Sequence, residues 1–173
     1  MKSNDNSVKD LVSQEAVEKM KELVEHTKVC FFTTHLDNTP LPTRPMHTQE
    51  VDDEGTLWFF SDEESEKNFE IKDDSRVQLL YANPSKMEFL SIYGHAMVSR
   101  DRSKIEQLWS PMAKAWFKGG KDDPSLSVIQ VIPDEAYYWD TKHNKMVSFL
   151  KILSSIGSDS KSKDDGVQGR LKM

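Results

Sequence analysis

Arg44-Pro45-Met46, Ser61, Ser65 and Lys67 are the residues whose types and spacing could do chemistry together. A strand ending in a hydroxyl, followed by a helix start and a lysine, could hold the phosphate of a ligand that also carries a flat ring. First-turn helix amides have no intrahelical partner and carry the positive end of the helix dipole. With Ser61 as the cap, Lys67 would lean back along that turn and Ser65 would add a hydroxyl. Pro45 cannot donate to a strand ladder. It therefore implies an edge, a bulge or an opened stretch, where backbone groups are available to a planar heterocycle. Met46 would give such a ring a soft apolar contact. Ordinary roles fit as well: Glu63 and Lys67 stand at i,i+4 as a surface ion pair would, Arg44 could be a solvated strand arginine, and Met46 could be core.

The elements that must position these residues follow from the apolar period. Ala16, Val17, Met20, Leu23 and Val24, with Val12 before them and Ser13 as a possible cap, fall at helical spacing. The period then changes to strands over Val29 to Thr34, Leu41 to Val51 and Thr56 to Ser61, separated by Leu36-Asp37-Asn38 and Asp52-Asp53-Glu54-Gly55. Such short turns predict an antiparallel meander, because a parallel crossover needs more chain. Ser61 with Glu64 three residues later is a capping-box pattern, which predicts a short helix through the charged segment to Asp74. Arg76 to Tyr81, Met87 to Ser99, Leu126 to Ile132 and Ala136 to Asp140 complete the strands, and Gly94 inside one of them predicts a bulge or bend. Asp101 can cap a helix with Ile105, Leu108, Trp109 and Met112 on one stripe, and Met146 to Ile156 has a helical pattern. The expected fold is mainly β with flanking helices, its strands closed into a small antiparallel barrel that leaves few edges. One domain over residues 8–156 and a disordered polar tail over 157–173 are expected.

Composition limits the partners. At 173 residues the chain is long enough for one sizeable core, and 30% of its residues are charged, with a mean hydropathy of -0.66. No apolar run approaches the ~20 residues of a membrane span, and the start of the chain lacks the apolar core of a secretory signal, so a cytoplasmic protein is expected. A net charge of -6 with dispersed basic residues argues against nucleic acid. The single cysteine, Cys30, lies in an apolar strand and reads as a buried inert thiol. The five histidines are dispersed, without the local pairings typical of a zinc-binding motif, and the chain has no P-loop, nucleophile elbow or dinucleotide fingerprint.

Longer landmarks carry a resemblance. Arg44-Pro45-Met46, Trp58-Phe59-Phe60-Ser61, Lys67, Tyr81-Ala82-Asn83-Pro84, Leu108-Trp109-Ser110-Pro111, Ala115-Trp116-Phe117, Asp122-Asp123-Pro124 and Tyr138-Trp139-Asp140 recur in order. On these, the segment from Val17 to Leu150 resembles the general stress protein family of pyridoxamine 5′-phosphate oxidase-like, FMN-binding split barrels. The resemblance implies a six-stranded antiparallel split β-barrel and a homodimer with FMN at the subunit interface, FAD being the alternative flavin. It further implies that Arg44, Pro45 and Met46 border the isoalloxazine, that Phe60 and Ser61 lie against the flavin, and that Ser65 and Lys67 hold the phosphate. Trp109 and Trp116 would face the flavin from the partner subunit. Two departures stand out: Glu66 precedes the lysine where pyridoxamine phosphate oxidases have an arginine, and no Arg-Leu-His type motif follows Trp139. Oxidation of pyridoxamine phosphate is therefore not expected, and the acidic helix implies weaker phosphate binding than in those enzymes. The expectation is a flavin-dependent oxidoreductase of unidentified substrate. The rivals are a non-catalytic flavin-binding or flavin-sensing stress protein and a structural barrel without flavin.

Overall fold

Closing a sheet of alternating strands on itself removes its edges and leaves one apolar interior. The computed structural model shows that solution, and it describes residues 11–12, 14–141 and 166–172. In chain order the elements are β1 (Leu11–Val12), α1 (Gln14–Thr27), β2 (Val29–Thr33), β3 (Thr43–Val51), β4 (Leu57–Asp62) and α2 (Glu66–Asp73). Then follow β5 (Arg76–Asn83), β6 (Glu88–Ser99), α3 (Arg102–Leu108), two short 3-10 turns, β7 (Leu126–Thr141) and β8 (Gly166–Lys172).

The antiparallel strands β2-β3-β4-β7-β6-β5 form a closed ring of six, because β5 pairs back onto β2. The expected β2-β3-β4 meander is thus present. Inward residues alternate along each strand and are fully buried: Phe32, Leu57, Phe59, Val77, Leu79 and Ile92 meet in the barrel. Phe32 and Phe59 pack edge to face with ring centroids 5.3 Å apart. α1 covers this core with Ala16, Met20, Leu23 and Val24, the helical stripe legible in the sequence. Each such large side chain contributes about 1.5–3 kcal/mol by leaving water.

The sequence reading of Gly94 is borne out. A Cβ there would lie 2.3 Å from the carbonyl oxygen of Ile132, so the backbones of β6 and β7 approach too closely for any other residue. The register slips at this point, with Tyr93 opposite Glu135 and Gly94 opposite Pro133. Asp134 is the extra residue of the bulge. Hence the two expected strands Leu126 to Ile132 and Ala136 to Asp140 are one strand, β7, bent at the bulge and templated along its length by β6.

Other expectations are corrected. Val12 belongs to β1 rather than to the first helix, and pairs in parallel with β8. Residues 166–172, expected inside a disordered tail, form β8 against the second half of β7, with Leu171 buried in the core. Backbone pairing needs little apolar sequence, which is why the polar composition concealed this strand. The helix expected over Met146 to Ile156 lies outside the described residues. α3 ends at Leu108, so Trp109 and Met112 leave its stripe and Met112 is exposed. Asp101 does cap it, accepting from the amide of Lys104 at 3.2 Å.

Candidate functional site

β3 and β4 run together only in part. Thr48 pairs with Phe59, Glu50 with Trp58 and Val51 with Leu57, but from Thr43 to His47 β3 has β2 on one side and, among the described residues, no strand on the other. β4 pairs with β7 along its whole length, from Leu57 opposite Val131 to Asp62 opposite Leu126, and past Phe59 β7 is its one partner among the described strands. The barrel is split between these two stretches. The Thr48 amide donates to Lys28 and the Thr34 amide to Pro42 across the β2–β3 pair. Backbone alternation from those bonds directs the groups of Thr43 and Pro45 away from β2, into the split. Pro45 therefore sits where its missing N–H costs no ladder bond, and it marks an opened stretch.

α2 is fastened to both lips of this opening. On the β3 side, Arg44 Nη2 donates to Glu70 Oε2 at 2.8 Å and its Nη1 donates to Thr34 Oγ1 at 2.7 Å. Thr34 Oγ1 donates in turn to the same Glu70 oxygen at 2.5 Å. Burial pushes the Glu70 carboxyl up, but the Thr34 hydroxyl and the Arg44 guanidinium outweigh it and hold the pKa below the ordinary value. On the β4 side, Ser61 Oγ donates to Asn68 Oδ1 at 2.7 Å, and Asn68 Nδ2 donates to Ser127 Oγ at 3.0 Å. Ser127 Oγ closes the ring by donating to the Ser61 carbonyl at 2.9 Å. Asn68 is wholly buried, and each end of its amide is satisfied within this network.

The helix start differs from the expected one. Ser65, not Ser61, is the residue before α2; its backbone is extended, and its hydroxyl makes no capping bond. Ser61 remains in β4, buried, because the Asx-type turn from Asp62 to Glu64 delays the helix by several residues. The expected Glu63–Lys67 pair does not form, since Glu63 precedes the helix and lies 3.5 Å from Lys72 instead. Among the described residues Lys67 makes no ion pair, and the amides of Glu66 and Lys67 make no hydrogen bond. The ammonium of Lys67 is half-buried near Arg44. Burial and then the Arg44 charge lower its pKa, against smaller opposing effects of Asp62 and Glu70.

The structure therefore brings Arg44, Pro45, Met46, Ser61, Ser65 and Lys67 to one opening. Arg44 and Met46 share the inward face of β3, and Met46 packs against the core. Ser61 and Ser65 hydroxyls are 3.2 Å apart. Phe60, on β4, packs outward into a second cluster with Trp109 and Phe117, at ring-centroid distances of 6.1 and 6.2 Å. Trp109 thus touches Phe60 within its own chain, while Trp116 is 81% exposed and joins neither cluster. Thr34, Glu70, Asn68 and Ser127 were not singled out from the sequence.

A six-stranded barrel split beside a strand-edge arginine, with a helix start at its mouth, defines a fold class shared with known proteins. The chain belongs to the pyridoxamine 5′-phosphate oxidase like family, whose model matches residues 15–163. General stress protein 26 of Bacillus subtilis is 22% identical over 125 residues, 70% of this chain and 86% of that protein. Protein bli-3 of Neurospora crassa is 30% identical over 90 residues, 47% of this chain; the match spans only 43% of the fungal protein. Among solved structures, the general stress FMN/FAD binding protein of Xanthomonas citri superposes with a TM-score of 0.65 at 25% identity, covering 75% of this chain and 91% of that one. The general stress protein 26 of Bacillus anthracis gives 0.62 at 20% identity, covering 70% and 92%.

Proposed function

We propose that the protein is an FMN-binding flavoprotein of the general stress type, with the flavin held in the split between β3 and β4. The observation that carries this reading is the half-buried ammonium of Lys67, which makes no ion pair among the described residues and stands at a helix start whose first amides are also unbonded. Burial first and the Arg44 charge second lower the lysine pKa, and the amides of Glu66 and Lys67 beside it have no partner among the described residues. A phosphate monoester would satisfy the ammonium of Lys67, the hydroxyl of Ser65 and the amides of Glu66 and Lys67 together. The ring would lie along the unpaired backbone of Thr43 to His47, against Pro45 and Met46, with Phe60 and Ser61 on the other lip. FAD is the alternative ligand; the Xanthomonas citri relative is described as binding FMN or FAD.

When bound, the flavin supplies the redox chemistry. What the chain contributes is binding, orientation and charge: Arg44, fixed by Thr34 and Glu70, favours an anionic reduced ring. The reading is of a flavin-dependent oxidoreductase whose substrate is undefined. The acidic residues Glu63, Glu64 and Glu66 near the phosphate position would weaken phosphate binding, and the second reading is a non-catalytic flavin-binding or flavin-sensing protein. A homodimer with the flavin at its interface belongs to the proposal. Phe31 stands in register with both Pro45 and Leu80, which makes an apolar row on the outer barrel face, with Phe31 57% exposed. Trp109 and Trp116 would complete the pocket from the partner subunit.

Mass spectrometry of the small molecule released from purified protein tests the ligand, with FMN expected. Release of haem or of nothing after flavin supplementation would end the reading. Reduction of the bound flavin by NADH or NADPH, with reoxidation by an added acceptor, separates the oxidoreductase from the binder. Light scattering on a sizing column tests the dimer, and Phe31→Lys is expected to shift it to monomer.

A further inference from the structure

Away from the split, the last turns of α1 meet the start of β6. Glu22 and His26 stand one helical turn apart on α1 and so share a face. Met87 has a left-handed backbone, φ 55°, and the chain enters β6 immediately after it at Glu88. Glu88 is almost completely buried, an unusual place for a carboxylate. Its Oε2 lies 2.7 Å from His26 Nδ1, and one ligand atom from each of Glu22, His26 and Glu88 lies within 4.8 Å of the others.

We propose that Glu22, His26 and Glu88 form a binding site for a divalent transition-metal ion of the zinc class. One imidazole nitrogen with two carboxylates is a borderline donor set that suits zinc, cobalt or manganese better than calcium or magnesium. Three protein ligands leave a fourth position for water, the arrangement of an open tetrahedral site. Two of the ligands share one helix turn and the third stands at the start of a strand. Asn83 supports them from outside: its Nδ2 lies 3.5 Å from Glu88 Oε2 and 3.5 Å from the His26 carbonyl.

An ion pair between His26 and Glu88 explains two of the three groups but gives no part to Glu22. Glu22 accepts from Lys19 at 3.1 Å, while Lys19 also donates to Asp140 at 2.5 Å. Lys19 therefore keeps an anionic partner when Glu22 turns to a cation.

The test uses the full chain after chelator treatment and dialysis, titrated with zinc in competition with a chromophoric chelator, and separately with cobalt. One equivalent of zinc and a tetrahedral cobalt spectrum are expected. Glu22→Gln, which leaves the His26–Glu88 pair in place, and His26→Ala should each weaken zinc binding at least tenfold, about 1.4 kcal/mol. His95→Ala is the control: it removes the separate His95–Asp134 pair and should leave affinity unchanged. Circular dichroism verifies that each variant is folded. Absence of zinc binding, or binding that survives both Glu22→Gln and His26→Ala, or that is lost in His95→Ala alone, overturns the proposal.

Discussion

From Thr48 to Val51, β3 is laddered to β4 and Thr48 hydrogen-bonds a buried tyrosine, Tyr81, at 2.6 Å beside the apolar core. From Thr43 to His47 the same strand lacks β4, and its inward side chains are Arg44 and Met46. The first half is fixed by its own packing. The second half is fixed at a distance, through the hydrogen bonds that fasten α2 to both lips. Opening a barrel exposes backbone groups, and this fold tolerates that cost over one short stretch only because charged and amide side chains hold the opening in shape.

Phe59→Ala tests the closed half and should have the largest effect, about 3–5 kcal/mol of stability lost through the cavity left in the core. Urea unfolding measures it. Flavin selectivity, read as the ratio of riboflavin to FMN affinity in the folded fraction, should not change. A loss below about 1 kcal/mol would mean that the closed half is not the scaffold on which the opening depends.

Arg44→Met should come next, costing stability because Glu70 loses its cation while still largely buried; about 1–3 kcal/mol is expected for such an unpaired group. Adding Glu70→Gln should recover part of it. The sign of the pH effect follows from the lowered pKa of folded Glu70. Its stabilisation is present above the unfolded value, about 4.3, and is lost as pH falls through the lower folded value. Glu70→Gln should therefore flatten the acid limb of a stability–pH curve.

Lys67→Ala separates binding from folding most cleanly. FMN affinity should fall about tenfold to a hundredfold, the worth of a charge-assisted hydrogen bond, whereas riboflavin affinity should not move. Stability should be unchanged or slightly higher, since a lysine whose folded pKa is depressed weakens the fold while it is charged. In the parent protein, FMN affinity should drop as pH rises toward that depressed pKa, below the ordinary lysine value of about 10.4. Equal losses for FMN and riboflavin would remove Lys67 from the phosphate.

Much of this arrangement is legible in the chain. Pro45 marks the opened stretch because proline's missing donor has only a few places to go, and Gly94 marks the bulge because glycine alone permits the approach. Cys30 is buried as expected, and burial pushes its pKa up to about 12. The fastening of α2 was not legible. Arg44 and Glu70 lie on different elements, as do Asn68 and Ser127, and sequence spacing carries no information about pairs made by closure of the barrel. The helix start was misplaced for a local reason: Ser61-x-x-Glu64 and Ser65 both satisfy a capping rule, and the pairing of Ser61 with β7 decides between them.

That choice between two serines includes the smallest expected effect, that of Ser65 on FMN. Ser61→Ala removes a hydroxyl that donates to the buried side-chain amide oxygen of Asn68, so it should cost about 1–3 kcal/mol of stability and act on both flavins alike. Ser65→Ala removes a hydroxyl that makes no capping bond to α2, so stability should hold. Its effect should be confined to FMN, at about 0.5–1.5 kcal/mol, the range of one ordinary hydrogen bond. Urea unfolding and paired FMN and riboflavin titrations on the two variants read both quantities. If Ser65→Ala destabilised the fold and Ser61→Ala selectively weakened FMN, the helix start would be at Ser61 after all, and the phosphate would lie deeper, against β4.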